Sequence, residues 1–348
     1  MMVSSQARRE PDFRNIAAVL EKKVPSRPTL FEFFFNDRLY MRHAGPRYRR
    51  LSDGLFPETE TMVAAFAALG YDYATVHGCD ITFASTAAAD GSTISQNENV
   101  LITDRASFDA FPWPDAASAD YSRLGDAESY LPHGMKLMVC GPGGVLENVI
   151  SLLGYENLCL LLYDDPQLVE DVFERVGQTF VEYYRRCAAY DAVGALIAND
   201  DWGFNTQTML SVQDLRRLVF PWHRQIAQIA HSHGKYAVLH SCGNYAAILD
   251  DILYDMKYDA RHSYEDGIIP VETAYEQLRG RIAVLGGLDL NFMITASPEE
   301  IFSRARKLVE RSMEWGGYAL GTGNSVPGYL PDDHYYALRD AALTYPDS

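Results

Sequence analysis

The chain has 348 residues, 47% of them hydrophobic, and a formal net charge of −17. That length holds one large α/β barrel or two ordinary domains. An acidic balance of this size repels nucleic-acid phosphates and excludes DNA or RNA as a natural partner. The five cysteines, Cys79, Cys140, Cys159, Cys187 and Cys242, contain no C-x-x-C pair, and their number is odd. Both facts argue against a disulfide framework and for a cytoplasmic, reducing compartment. The N-terminal "MMVSSQARREPDF" has no apolar core of the signal-peptide kind, and apolar runs such as "NLCLLLY" are too short to span a bilayer, so no membrane partner is expected.

Residues 1–28 read as an N-terminal extension. The first β-rich run is 29–35 (TLFEFFF), and the second is Tyr73–His77 (YATVH). Residues 78–135 are irregular and polar, with Pro112 and Pro114 flanking Trp113, and read as a lid or substrate loop. Lys136–Cys140 (KLMVC) follows, and then a helix opening at Asp165-Pro166 with Leu168, Val172, Val176 and Phe180 at helical spacing. After 194–199 (GALIAN), Ser211 opens a helix that Pro221 should kink or divide and Gly234 should stop. Then come Tyr236–His240 (YAVLH), 258–262 (YDARH) and 281–285 (RIAVL). A helix at Ser297-Pro298-Glu299-Glu300, with Pro in its first turn, leads to 318–321 (YALG). Eight short apolar runs alternating with helices form the (β/α)8 TIM-barrel pattern, as a single domain over 1–348. The competing open doubly wound sheet lacks the early Gly-rich phosphate turn.

Barrel chemistry comes from the C-terminal ends of strands. Those positions hold Glu32, His77 with Cys79 and Asp80, Asp200 and Asp201, His240 and Cys242, His262 and Glu265, Asp289 and Asn324. Each has a plainer reading. Glu32 and Asp289 could bond loop amides, Asp200 or Asp201 could cap the segment that follows, and His77 and Cys79 could be packed core groups. His223, His231 and His233 lie on a helix and belong to the outer ring. His240 and Cys242 share a strand face and offer an imidazole nitrogen and a thiolate, a zinc-type donor pair.

"LHSCGN", "YDARHSYEDG", "RIAVLGGLD" and "GGYALGTGNSVP" follow one another over the last third, with "GYENLCLLLYDDPQLVEDVF" and "NDDWGFNTQTMLSVQDLRRLVFPWHRQI" upstream. This ordered series resembles the uroporphyrinogen decarboxylase superfamily, and within it the zinc-dependent, corrinoid-linked methyltransferase branch. The resemblance implies a (β/α)8 barrel. It also implies zinc on His240 and Cys242, with a further cysteine at the end of the last strand. Here that place holds Asn324, and no cysteine follows Cys242. Glu265 is the expected replacement: it either binds the metal or only orients His240.

One thiolate, one imidazole and one carboxylate make a harder site than two thiolates and suit polarising a methyl ether oxygen. The expected activity is therefore a zinc-dependent methyltransferase. It would move a methyl group from a small methylated, O-methyl donor to a corrinoid on a partner protein. Asp200, Asp201, His77 and Asp80 are the candidate proton-handling groups, with Glu32, Trp202, Asn324 and Asp289 binding substrate. Phe33, Phe35, Trp113, Trp202 and Phe204 are candidates for sandwiching an aromatic ring. The alternative is a cofactor-free decarboxylase of the uroporphyrinogen type, using Asp80, Asp200 or Asp201. In that branch closely spaced arginines leave strand one, where this chain reads "TLFEFFFND"; the arginines of "MRHAGPRYRR" come later. The sequence leaves room for a homodimer.

Overall fold

Short apolar runs with no polar alternation become strands buried on both faces. They are β1 (Tyr73–His77), β2 (Lys136–Cys140), β3 (Val193–Asn199), β4 (Tyr236–His240), β5 (Ala260–His262), β6 (Ala283–Leu285) and β7 (Tyr318–Ala319) in the computed structural model, which describes residues 9–50, 57–83 and 100–346. The sheet order is β1-β2-β3-β4-β5-β6-β7, and the β3–β4, β5–β6 and β6–β7 ladders are parallel. Sequential parallel strands with helical crossovers are the α/β barrel-type arrangement expected from the alternation.

The first expected strand is the exception. In 29–35 only Leu30 bridges, to Leu320, with Phe31 N–H donating to the Leu320 carbonyl and Leu320 N–H to that of Thr29, each at 2.8 Å. Beyond that point phenol groups replace the ladder. Tyr73 Oη accepts from Glu32 N at 2.8 Å and donates to Glu32 O at 2.7 Å, while Phe35 N donates to Tyr40 Oη at 3.3 Å. The segment satisfies its backbone through buried side chains, so the eight expected strands become seven and a bridge.

The chain divides into two compact units. One comprises Met1–Val76, Asp126–Met138 and Asp259–Ser348, and the other His77–Gly125 and Val139–Tyr258. In the first, Phe35, Tyr40, Phe66, Tyr71 and Tyr335 form an aromatic core, and the Pro298–Trp315 helix begins with the reciprocal Ser297–Glu300 capping box.

In the second, Asp165 caps the Pro166–Ala188 helix through Leu168 N at 3.0 Å. The segment opened by Ser211 is divided as expected. A wide turn, Leu215–Val219, with Phe220 N–H reaching the Leu215 carbonyl, precedes the Phe220–Ser232 helix. Pro221 has no N–H to give and would crowd the carbonyl four residues back, and the wide turn relieves both problems. Gly234, at φ +66°, lies just past the helix end.

Of the expected lid, 84–99 lies outside the described residues. The part from Leu101 to Trp113 packs on its own unit's helices. Leu101 and Ile102 N–H reach the Leu152 carbonyl, Arg105 pairs with Asp171 at 2.6 Å, and Trp113 packs on Phe108 and Phe111. Among the described residues no single helix is long and apolar enough to cross a membrane.

Candidate metal centre

The parallel register sets Asn199 of β3 beside His240 of β4. Side chains alternate along strands, so 199 and 201 share a face with 240 and 242, and Asp200 takes the other. On the shared face the ligand atoms of Asp201, His240 and Cys242 lie within 4.8 Å of one another. Cys242 Sγ is 3.8 Å from His240 Nε2, and Cys242 N–H donates to Asp201 Oδ1 at 2.8 Å. His240 is buried, and the other two are half-buried.

A tetrahedral zinc with bonds of about 2.0–2.3 Å places its donors roughly 3.3–3.8 Å apart. The thiol and imidazole already have that spacing, and the carboxylate needs only a small closure. Imidazole, thiolate and carboxylate together suit zinc better than calcium or magnesium, which prefer oxygen alone. The turn after Cys242 depends on Gly243, at φ +85°. A Cβ there would meet the Gly203 carbonyl oxygen at 1.9 Å, so glycine lets the two loops stack.

Asp200, one residue away, is fully buried and faces outward from this group. Its Oδ2 accepts from Leu146 N at 2.9 Å and from His223 Nε2 at 3.0 Å, and its Oδ1 accepts from Glu147 N at 3.0 Å. It thereby satisfies the orphan amides that open the Val145–Leu153 helix. Tyr258 Oη lies 2.8 Å from His223 Nδ1, so a neutral imidazole accepts from the phenol and donates to the carboxylate. Asp200 N–H also donates to the His240 carbonyl at 2.9 Å, which ties the ends of β3 and β4 together. A Cβ on Gly144 would lie 2.2 Å from Asp200 Oδ1, so only glycine admits the carboxylate.

Glu147 follows in the first turn of that helix. Burial, and then the Asp201 and Asp200 charges, push its carboxyl well above the usual range, so it holds its proton at neutral pH. The Asn199 side chain hydrogen-bonds to it. Glu147 Oε2 and Asn199 Oδ1 are nevertheless buried without a hydrogen-bond partner.

The other strand-end residues are placed differently. Asp80 forms an exposed ion pair with Arg123 at 2.6 Å. His77 Nδ1 lies 3.6 Å from Cys140 Sγ. Trp202 is fully buried, with Phe220 and edge-on to His223, so it packs the unit and exposes no surface for a substrate. Phe33 and Phe35 are core residues and Trp113 packs in its own loop; of the five aromatics proposed for a ring sandwich, Phe204 alone is exposed.

In the first unit, Glu32 Oε1 accepts from Thr322 N at 2.8 Å, and Oε2 lies 2.6 Å from Thr322 Oγ1. Burial raises the Glu32 pKa to about 8 against the pull of those bonds. Thr322 Oγ1 also lies 2.5 Å from the Asn324 carbonyl. A hydroxyl has one proton: spent on Asn324, it leaves Oγ1 to accept from a protonated Glu32. His262 is buried against Phe31, with Nε2 3.2 Å from the Thr322 carbonyl, and burial lowers its pKa to about 3. Asp289 caps the Leu290–Thr295 helix through Phe292 N and accepts from Asp266 N, the plainer role open to it from the sequence. Asn324 Oδ1 accepts from Ser325 N at 2.7 Å. Glu265 is half-buried in the turn after β5, its carbonyl accepting from Ile268 and Ile269 N–H.

The described metal-binding group therefore contains Asp201 as its carboxylate, where the sequence pointed to Glu265. Parity within "NDDW" separates Asp201 from Asp200 once the strand end is fixed. His223, set aside as an outer-ring residue, is the buried partner of Asp200. Glu147 was not anticipated; its signal is an acid in the first turn of a helix that directly follows "GPGG" at a strand end.

A family model described as uroporphyrinogen decarboxylase (URO-D) matches residues 137–345. The methylated-thiol–coenzyme M methyltransferase of Methanosarcina mazei is 23% identical over 177 residues, 51% of this chain and 46% of that protein. The uroporphyrinogen decarboxylase of Methylococcus capsulatus is 24% identical over 191 residues, 54% of this chain and 51% of that protein. The chain thus spans about half the length of the curated relatives it matches. A solved structure of a methyltransferase from Methanosarcina mazei superposes with a TM-score of 0.67 at 15% identity, over 95% of this chain and 97% of that one. At that identity the likeness is one of fold.

Proposed function

The chain belongs to the uroporphyrinogen decarboxylase family, and from that premise we propose that it is a zinc-dependent methyltransferase taking a methyl group from a small O-methyl donor and delivering it to a corrinoid on a partner protein. The observation that carries this reading is the convergence of Asp201, His240 and Cys242 within 4.8 Å. These three side chains hold the metal. When bound, zinc supplies a Lewis acid for the ether oxygen. The chain's own residues hold and aim that group. Asp200 pins the ends of β3 and β4, and Cys242 N–H steadies the Asp201 carboxylate. A single thiolate keeps the site hard enough for an oxygen-bound methyl group. Cys79, Cys159 and Cys187 are free thiols, in keeping with a reducing, cytoplasmic setting.

The decarboxylase reading has less support. Asp80 lies in an exposed ion pair, and Asp200 is committed to two amides and an imidazole.

The test is metal content joined to methyl transfer. Wild-type protein is expected to hold about one zinc per chain by mass spectrometry and to transfer methyl from a phenyl methyl ether to free cob(I)alamin, followed by absorbance. Cys242→Ala and Asp201→Asn lose the metal and the transfer together. Glu265→Gln, run beside them, shows whether Glu265 is a ligand as well. A metal-free wild-type protein that decarboxylates uroporphyrinogen would sink the proposal.

A further inference from the structure

Buried polar atoms nearly always have hydrogen-bond partners, so two that lack them on side chains bonded to each other call for an account. Asn199 and Glu147 touch through one hydrogen bond, and each keeps its second oxygen buried and unpartnered. Their position is informative. Asn199 is register partner to His240 and shares strand parity with Asp201, so it lies on the same sheet face as the metal-binding group. Glu147 N–H is fixed on Asp200 Oδ1 at 3.0 Å, which anchors the first turn that carries its carboxyl.

We propose that Glu147 and Asn199 form a hydrogen-bonding subsite for a hydroxyl group beside the metal-binding side chains, and that the ligands it selects are small alcohols and phenols. A hydroxyl both donates and accepts. It donates to Asn199 Oδ1, an obligate acceptor, and accepts from the Glu147 carboxyl, which burial and two neighbouring carboxylates keep protonated. A hydrocarbon of the same shape leaves both oxygens without partners, and a carboxylate would face two acid groups already crowded there. The subsite rests on the methyltransferase reading and deepens it: a hydroxyl is what remains on the donor once the methyl has left an O-methyl group.

The test compares phenol with toluene, which differ only in the hydroxyl, by NMR titration of the metal-free and the zinc-loaded full chain. Wild type is expected to bind phenol about tenfold more tightly than toluene, the usual worth of one well-placed hydrogen bond. Glu147→Leu and Asn199→Leu each abolish that preference and leave toluene binding unchanged. Glu147→Gln, which keeps a donor, retains it. Zinc affinity, read by competition with a chromophoric chelator, stays within about threefold of wild type in all three variants. Should Glu147→Leu fail to fold, Asn199→Leu and Glu147→Gln still decide the matter.

A wild type that does not prefer phenol, or leucine variants that do, overturn the subsite. So does loss of zinc in Glu147→Leu, which would make Glu147 part of the metal site. Absence of zinc from wild type with the phenol preference intact would strike the metal reading alone and leave the subsite standing.

Discussion

Glu32, His262 and Asp289 in one unit, and Asp201, His240 and Cys242 in the other, are all polar side chains at strand ends. In the first unit the bonds run to neighbouring backbone and hydroxyl groups. Glu32 and His262 both converge on Thr322, and Asp289 holds two loop amides. In the second, an imidazole, a thiol and a carboxylate turn toward one another. The same contrast recurs at a single peptide bond, since Asp200 ties together helix, histidine and strand while Asp201 joins the metal-binding group. A strand-end acid or histidine is therefore not a site by type. Its role follows from what its face of the strand meets.

Exchanging two histidines separates the two uses most sharply. His240→Ala should weaken zinc binding by more than the roughly 10–100-fold that follows loss of a ligand-supporting hydrogen bond, with little change in the urea midpoint. His262→Ala should do the reverse, keeping zinc and losing stability. If both lose zinc equally, the contrast between the units fails.

Asp200→Ala comes next. It strands an imidazole and two amides in the interior and should cost about 3–5 kcal/mol by urea unfolding. Asp201→Ala, without that load, should cost about 1 kcal/mol or less.

Glu32→Gln probes the same division through pH. The folded pKa, about 8, lies above that of the unfolded carboxyl, so the folded state holds the extra proton between them. Wild-type stability then falls as pH rises from about 4.5 toward 8. The glutamine variant lacks that slope and should overtake wild type by a few kcal/mol at pH 9. For His262 the folded pKa, about 3, lies below the unfolded value, so its contribution is present above pH 6.5 or so and is lost on acidification. The smallest effect belongs to Asp80→Asn, which removes an exposed ion pair and should shift stability by less than about 1 kcal/mol.

Strand periodicity exposed most of this in advance. β1, β2 and β4 coincide with their expected bounds, because runs such as KLMVC and YAVLH suit little else than a strand buried on both faces. Asp165, Ser211 and Ser297 cap their helices as side chains of their type do. Two kinds of information were hidden. Residues 29–35 look like a strand by composition, but phenols of Tyr73 and Tyr40 take over the backbone bonds, and no local pattern announces a long-range phenol. The carboxylate that joins His240 and Cys242 was also hidden, because choosing among Asp200, Asp201 and Glu265 requires knowing which way each points.

The wide turn at Leu215–Val219 bears on chain length. A turn closed by Phe220 on Leu215 contains one residue more than an α-helical turn would. Removing one residue, Arg216 for instance, would restore a regular helix and rotate everything before the deletion by about 100° relative to everything after it. The buried stripe of Leu215, Leu218 and Val219 and that of His223, Ile226 and Ala230 could then not both face inward. The surplus residue and the histidine thus form one heritable trait: a descendant that shortens this segment must give up His223, and with it the partner of Asp200.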